Sequence, residues 1–176
     1  MSSLTLNHKE SVILSTGAPY NFDANFYKPS HFPSSDCLWE EGNCWISMLW
    51  KGQELGLKFE STGTIDEPEI KSDIYSQKQL SQDFVDSLIP EIRWRFNFDS
   101  DISEFYEKYS SDEILGSFIR KWKGMKPISA NSLYETLIIY IVLQNATVRR
   151  SVQMMESLFD RFGKKVTYDN RTVSTF

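Results

Sequence analysis

A chain of 176 residues with 40% hydrophobic and 14% aromatic positions, only 8 Gly and 6 Pro, and a net charge of −5 has the apolar mass for one good core or two small ones. This composition excludes a disordered or low-complexity polypeptide. Its longest apolar run, Leu137 to Leu143, falls far short of the roughly 18 residues of a membrane span.

The polar start, Met1 to Glu10, has no signal-peptide pattern, so a cytoplasmic, non-secreted protein with no membrane partner is expected. Ser11 to Ser15 is a β-branched run, and Tyr20 to Phe26 alternates aromatic and polar residues, which reads as a half-buried strand. Cys37 to Trp39 and Cys44 to Trp50 flank the turn Glu41-Gly42-Asn43. A second turn at Lys51-Gly52-Gln53 leads to alternating Leu55, Leu57 and Phe59, and the pattern resumes from Glu69 to Tyr75 after a connector at Ser61 to Pro68. This is a meander of antiparallel hairpins with one face needing cover.

Beyond Ser76 the period lengthens. Leu80, Phe84, Leu88 and Ile92 lie four apart, a helix that Pro90 should kink or divide. Asp101 with Glu104 opens a short helix through Tyr109; Ser111 caps another through Trp122, and Gly124 ends it. Ser132-Leu133-Tyr134-Glu135 fits the capping box ahead of Leu137 to Leu143, a helix so apolar that it should be surrounded by protein. Thr147 caps a last helix with a stripe of Val148, Val152, Met155, Leu158, Phe159 and Phe162, and Gly163 supplies the stop. The fold class is α+β: residues 1–76 form an antiparallel sheet subdomain, and residues 77–176 a helical one.

Charge is divided. Up to Glu113 there are 9 Lys and Arg against 20 Asp and Glu, net −11; from Ile114 onward there are 10 against 4, net +6. A basic carboxyl-terminal third able to approach phosphates and a merely dipolar protein both fit. Cys37 and Cys44 read as ordinary thiols, and no zinc set, metal or other cofactor is implied. The pairs Glu40-Glu41 and Asp66-Glu67 lie in turns, where solvation is a better reading than acid/base work; His8 and His31 have no suitably spaced partner. The aromatic residues Tyr20, Phe22, Phe26, Tyr27 and Phe32 suit a core better than base stacking, and Arg120-Lys121-Trp122-Lys123 is a weak basic patch.

The corner Gln144-Asn145-Ala146-Thr147-Val148-Arg149-Arg150 breaks local rules. Two arginines occupy a first helical turn, where the helix dipole favours anions and disfavours cations. A phosphate could meet backbone amides, the Thr147 hydroxyl and both guanidiniums there, while Gln144 and Asn145 present donors and acceptors to base edges. The plain alternative is a polar helix end with solvated arginines.

The segment Ser132 to Gly163, SLYETLIIYIVLQNATVRRSVQMMESLFDRFG, resembles the core helix pair of the helix-hairpin-helix superfamily of DNA glycosylases. The resemblance extends to a preceding sheet containing Asn21-Phe22-Asp23, then Phe96-Asn97-Phe98-Asp99, then Trp122-Lys123-Gly124-Met125-Lys126-Pro127. It is to the amino-terminal half of 8-oxoguanine and 3-methyladenine glycosylases. It implies a TBP-like antiparallel sheet followed by part of an all-α glycosylase subdomain, acting on damaged duplex DNA in base-excision repair. By position, Asn145 is then the wedge or contact to the abandoned opposite base, with Gln144 beside it and Arg150 contacting that base; Thr147 and Arg149 join them on the bottom-up argument.

Two departures accompany the resemblance. Pro29 stands where the 8-oxoguanine branch has a Gly, and the family's helix-hairpin-helix, catalytic Asp and lyase Lys would lie beyond Phe176. The expectation is therefore a chain that is inactive alone, part of a DNA N-glycosylase with or without lyase activity, and prone to self-association. The rival is a non-enzymatic α+β binding module for a protein or an apolar ligand.

Overall fold

The structure, a computed structural model, describes residues 2–27 and 34–176. The elements in chain order are β1 (Ser2–Thr5), β2 (His8–Ser15), α1 (Phe22–Phe26), β3 (Cys37–Glu40), β4 (Asn43–Trp50), β5 (Gln53–Ser61), β6 (Glu69–Ser76), α2 (Gln82–Arg95), α3 (Ser103–Tyr109), α4 (Leu115–Lys121), α5 (Leu133–Leu143), α6 (Val148–Phe162), β7 (Lys164–Tyr168) and β8 (Arg171–Thr175). The fold is mixed α+β.

The meander forms a five-stranded antiparallel sheet of order β2-β6-β5-β4-β3. Trp50 pairs with Gln53 across Lys51 and Gly52, both at positive φ (46° and 76°), the two-residue turn whose twist matches that of the flanking strands. Strand periodicity then sorts the side chains. Cys44, Ile46, Met48, Leu55, Leu57, Phe59, Ile70 and Ile74 point to one core, which α1 and α2 cover through Phe22, Phe26, Val85, Leu88 and Ile92.

The opposite face is also covered. Trp45 and Tyr75 pack with Leu6, Val166, Tyr168 and Val173, because β7 and β8 form a hairpin that joins β1 in a second sheet of order β1-β7-β8, with β1 parallel to β7. Residues 164–175, which the sequence reading assigns to the helical part, are thus strands closing over the first subdomain. Tyr168 lies against Gly56, where a Cβ would stand 2.5 Å from the ring; its hydroxyl donates to the carbonyls of Ile46 (2.7 Å) and Leu57 (3.2 Å). Asp169 accepts from Trp45 Nε1 (2.9 Å) and Tyr75 Oη (3.1 Å) and pairs with Lys58 (3.0 Å).

Several local expectations need correction. Tyr20 to Phe26 is not a strand: Asn21 caps α1 by accepting from the amide of Ala24 (3.0 Å), and Phe22 and Phe26, four apart, stack at 4.3 Å on the core side. Tyr20 itself is buried and donates to the Phe96 carbonyl. Pro90 leaves α2 undivided, and the helix ends where Asn97 turns left-handed (φ 54°). Ser111 does not cap α4, whose N-cap position is Ile114 without a side-chain cap; Asp112 Oδ1, just ahead of it, accepts from the amides of Ile114 and Leu115.

The segment 122–127 fastens the helical part to α1. Gly124, at φ 81°, passes so close that a Cβ would meet the Asn21 nitrogen at 2.6 Å. Asn25 bridges the carbonyls of Asn21 and Gly124 and accepts from the Lys126 amide. Lys126 is 1% exposed, and its ammonium donates to the carbonyls of Gly17 (2.8 Å) and Ser100 (2.6 Å).

The largest departure is α5. Only Val142 of this helix is buried; Leu133, Tyr134, Leu137, Tyr140 and Ile141 face outward, between 53% and 77% exposed. The enclosing protein that so apolar a helix calls for is not among the described residues. On α6, Met155 and Phe159 pack against Val142, while the ends of the expected stripe, Val148 and Phe162, are exposed.

Candidate nucleic-acid interface

The capping box of α5 is complete: Ser132 Oγ accepts from the Glu135 amide (3.3 Å), and Glu135 Oε2 accepts from the Ser132 amide (2.6 Å). At its far end the backbone leaves the helix at Gln144 (φ −64°, ψ 121°) and turns left-handed at Asn145 (φ 54°). Asparagine tolerates this conformation better than most residues with a Cβ. Thr147 then caps α6, its Oγ1 accepting from the Arg150 amide (3.3 Å).

Behind the corner, Ser151 is fully buried and its hydroxyl reaches the Val142 carbonyl at 3.4 Å, linking the last turn of α5 to the first of α6. Sequence reasoning passed over this residue. Its only signal is a small polar side chain within an apolar stripe.

Gln144, Asn145, Thr147, Arg149 and Arg150 are all exposed. Among the described residues, no ion pair engages Arg149 or Arg150, and the first turn of α6 carries no acid. Two guanidiniums and the positive end of a 15-residue helix therefore stand together in solvent, an arrangement that favours an anion. The corner also holds two amide side chains outside a folded turn, with donors and acceptors free for base edges.

Beneath α5 lies a cavity of about 470 Å³ whose wall includes Asp36, Cys37, Cys44, Glu135, Tyr140 and Leu143. Burial pushes the Asp36 carboxyl above its ordinary range against the lowering bond from Ser34, and the charges of Glu135 and Glu156 push the same way. Cys37 and Cys44 are free thiols with their Sγ atoms 3.5 Å apart. Burial holds the Cys44 thiol well above its usual value, so it is protonated at neutral pH and a poor nucleophile. The Lys126 pKa is lowered by burial, but its ammonium is committed to two carbonyls. The corner and cavity can hold and orient a ligand; the described residues present no activated nucleophile.

Several of the remaining candidates have structural partners. Glu40 pairs with Arg171 and Asp66 with Lys123. Phe22 and Phe26 are core residues, whereas the Tyr27 ring packs tilted against Trp39 at 4.4 Å. In the basic patch, Lys121 lies over the Trp122 ring and Arg120 donates to the Ser110 carbonyl. His8 is exposed on β2. His31, Phe32 and the comparison at Pro29 lie outside the described residues. No cluster able to hold a metal occurs among the described residues, and none of the helices there is long and apolar enough to cross a membrane.

Comparison with known proteins points in one direction. No protein-family model matches the chain. A DNA-3-methyladenine glycosylase of Bacillus subtilis is 20% identical over 118 residues, covering 61% of this chain and 39% of that protein. Among solved structures, a 3-methyladenine DNA-glycosylase from Archaeoglobus fulgidus superposes with a TM-score of 0.74 at 14% identity, over 94% of this chain and 55% of the other. MBOgg1 in complex with a low affinity DNA ligand gives 0.63 at 21% identity over 97% and 53%. The Clostridium acetobutylicum 8-oxoguanine glycosylase/lyase, in complex with double-stranded DNA containing cytosine opposite 8-oxoG, gives 0.63 at 15% identity over 97% and 54%. The chain therefore shares its fold with DNA glycosylases, and the curated match supports a relationship to them. It spans 39% of that curated relative and a little over half of each structural neighbour.

Proposed function

We propose that this chain is the damaged-duplex-binding portion of a base-excision-repair DNA glycosylase, with the corner 144–150 as its reading element. One observation carries the proposal: a left-handed Asn145, exposed between two helices and followed by two arginines without an ion pair among the described residues, on a fold shared with glycosylases, two of them solved with DNA. Arg149, Arg150 and the α6 amino terminus neutralise phosphates. Gln144 and Asn145 fill the space left when a damaged nucleotide swings out of the stack and contact the abandoned partner base. The five-stranded sheet is the TBP-like scaffold, and residues 77–163 supply the corner.

Cleaving the glycosidic bond requires a carboxylate that stabilises charge on the sugar and orients water, or an amine that attacks it. In this reading neither role falls on these 176 residues: the chain binds damaged DNA, where that DNA resides, and by itself releases no base.

Fluorescence anisotropy on matched duplexes tests this. Binding should weaken steeply with salt, favour a duplex with an abasic site over an intact one, and lose that preference in Asn145→Ala and Arg150→Ala. Salt-insensitive binding of an apolar ligand, untouched by those changes, would instead establish the rival binding module. Robust lesion-dependent base release by the purified chain would overturn the division of labour.

A further inference from the structure

We propose that Cys37 and Cys44 are a redox-active dithiol, closed to an intramolecular disulfide by hydrogen peroxide and reopened by a dithiol reductant. The sheet register brings them together. Cys37 pairs with Ile46 and Trp39 with Cys44, so the two thiols are diagonal neighbours on one face of the β3–β4 hairpin. Their Sγ atoms are 3.5 Å apart, in the contact of one thiol donating to the other sulfur. Reaching the S–S bond length of about 2.05 Å takes a closure of roughly 1.5 Å. Among the described residues β3 is an edge strand of four residues, paired in its sheet with β4 alone, so that closure displaces a short outer segment and leaves the inner strands in place.

The two positions differ in a way that assigns their roles. Cys37 is half-buried and Cys44 is 0% exposed, and both border the cavity described above. The Cys37 thiolate attacks one oxygen of the peroxide: an S–O bond forms, the O–O bond breaks, and the departing hydroxide takes up the proton that Cys37 released, leaving as water. The Cys44 sulfur then attacks the Cys37 sulfenic acid; the S–S bond forms, the S–O bond breaks, and the Cys44 proton departs with that oxygen as a second water. Two electrons pass from the sulfurs to the peroxide, so two thiols and one hydrogen peroxide become one disulfide and two waters. Burial keeps Cys44 protonated, which makes it slow toward an oxidant in solution, but it already touches the one sulfur it has to meet. The contact lies within the β3–β4 hairpin and involves neither the α5 flank nor the corner 144–150, so the pair operates independently of DNA binding.

Intact-mass spectrometry and peptide mapping of the full chain after treatment with hydrogen peroxide test this, with a parallel sample of free glutathione as the reference thiol. The chain has 2 Cys, so each product has one assignment. Over the exposure that oxidises glutathione, the expected result is a loss of two hydrogens in mass, a cross-link from Cys37 to Cys44 within one chain and a raised thermal midpoint, each reversed by dithiothreitol. Cys44→Ser should leave Cys37 as a sulfenic acid that dimedone captures, and Cys37→Ser should leave Cys44 unmodified. Two free thiols after the glutathione is consumed, a disulfide between two chains, a midpoint lowered by oxidation, or equal modification of Cys44 in Cys37→Ser would each overturn the proposal. Should either variant fail to fold, the mass and the cross-link map of the parent chain decide by themselves.

Discussion

The sheet subdomain and the α5–α6 pair bury their apolar residues to opposite degrees. In the sheet, Leu55, Leu57, Phe59 and Ile74 are all 0% exposed, as are Leu88 and Ile92 of the α2 that covers it, and both faces are covered. In the helix pair, the buried apolar residues Val142, Met155 and Phe159 hold the contact while the most apolar helix turns most of its large side chains outward. The difference separates a region whose apolar residues are covered by other described residues from one held together near its corner and exposed along the α5 flank.

The contrast is tested most severely by truncation. Phe59→Ala should cost about 3–5 kcal/mol, whereas Leu137→Ala, read at protein concentrations below any association, should stay within about 0.5 kcal/mol. Urea unfolding followed by circular dichroism compares them; equal losses would mean the α5 flank is part of the core. Gly56→Ala comes next. Its methyl would displace the Tyr168 ring from Ile46 and Leu57, so a loss of about 1–3 kcal/mol and faster amide exchange in β7 and β8 are expected.

A third, smaller effect depends on pH. Burial alone would raise the Asp169 carboxyl, but bonds from Trp45, Lys58 and Tyr75 hold it below the usual range. Its contribution is therefore complete above the ordinary carboxylate pKa of about 3.9 and is lost as pH falls from there through the lowered value. Asp169→Asn should destabilise by about 1–2 kcal/mol at neutral pH, and the gap to the parent protein should close in acid. A gap that is constant with pH would assign the loss to packing.

The smallest effect has the opposite sign. Arg150 sits in the first turn of α6 with no acidic partner among the described residues, so Arg150→Ala should raise stability by about 0.3–1 kcal/mol while weakening DNA binding. A simultaneous loss of stability would make the arginine structural.

Elements fixed by local pattern were legible in the sequence. The turn at Lys51-Gly52, the alternation through Leu55, Leu57 and Phe59, the Ser132–Glu135 box and the Thr147 cap all involve residues within a few positions of each other. What escaped was set by distant partners or by a contest between periods. Phe22 and Phe26 satisfy a strand and a helix alike, and the Asn21 cap decides for the helix. Val166 and Tyr168 alternate over only five residues, and their burial depends on Trp45 and Tyr75 far up the chain. The exposure of α5 was illegible because apolar character states that a helix needs a neighbour, not whether these residues include one. For the corner, sequence indicated the residue types and the structure adds their placement: left-handed, exposed and unneutralised.

The parallel pairing of Ser2–Thr5 with Lys164–Thr167 has a consequence for biosynthesis. β1 leaves the ribosome well before β7 and cannot be matched until more than 150 further residues have been translated, a closure of high contact order. Throughout elongation Trp45 and Tyr75 lack their cover of Val166, Tyr168 and Val173, and the nascent chain carries a sticky flank of the kind that chaperones shield. A stalled message ending before residue 164 should thus yield a product captured by holdases, and a few more codons should release it.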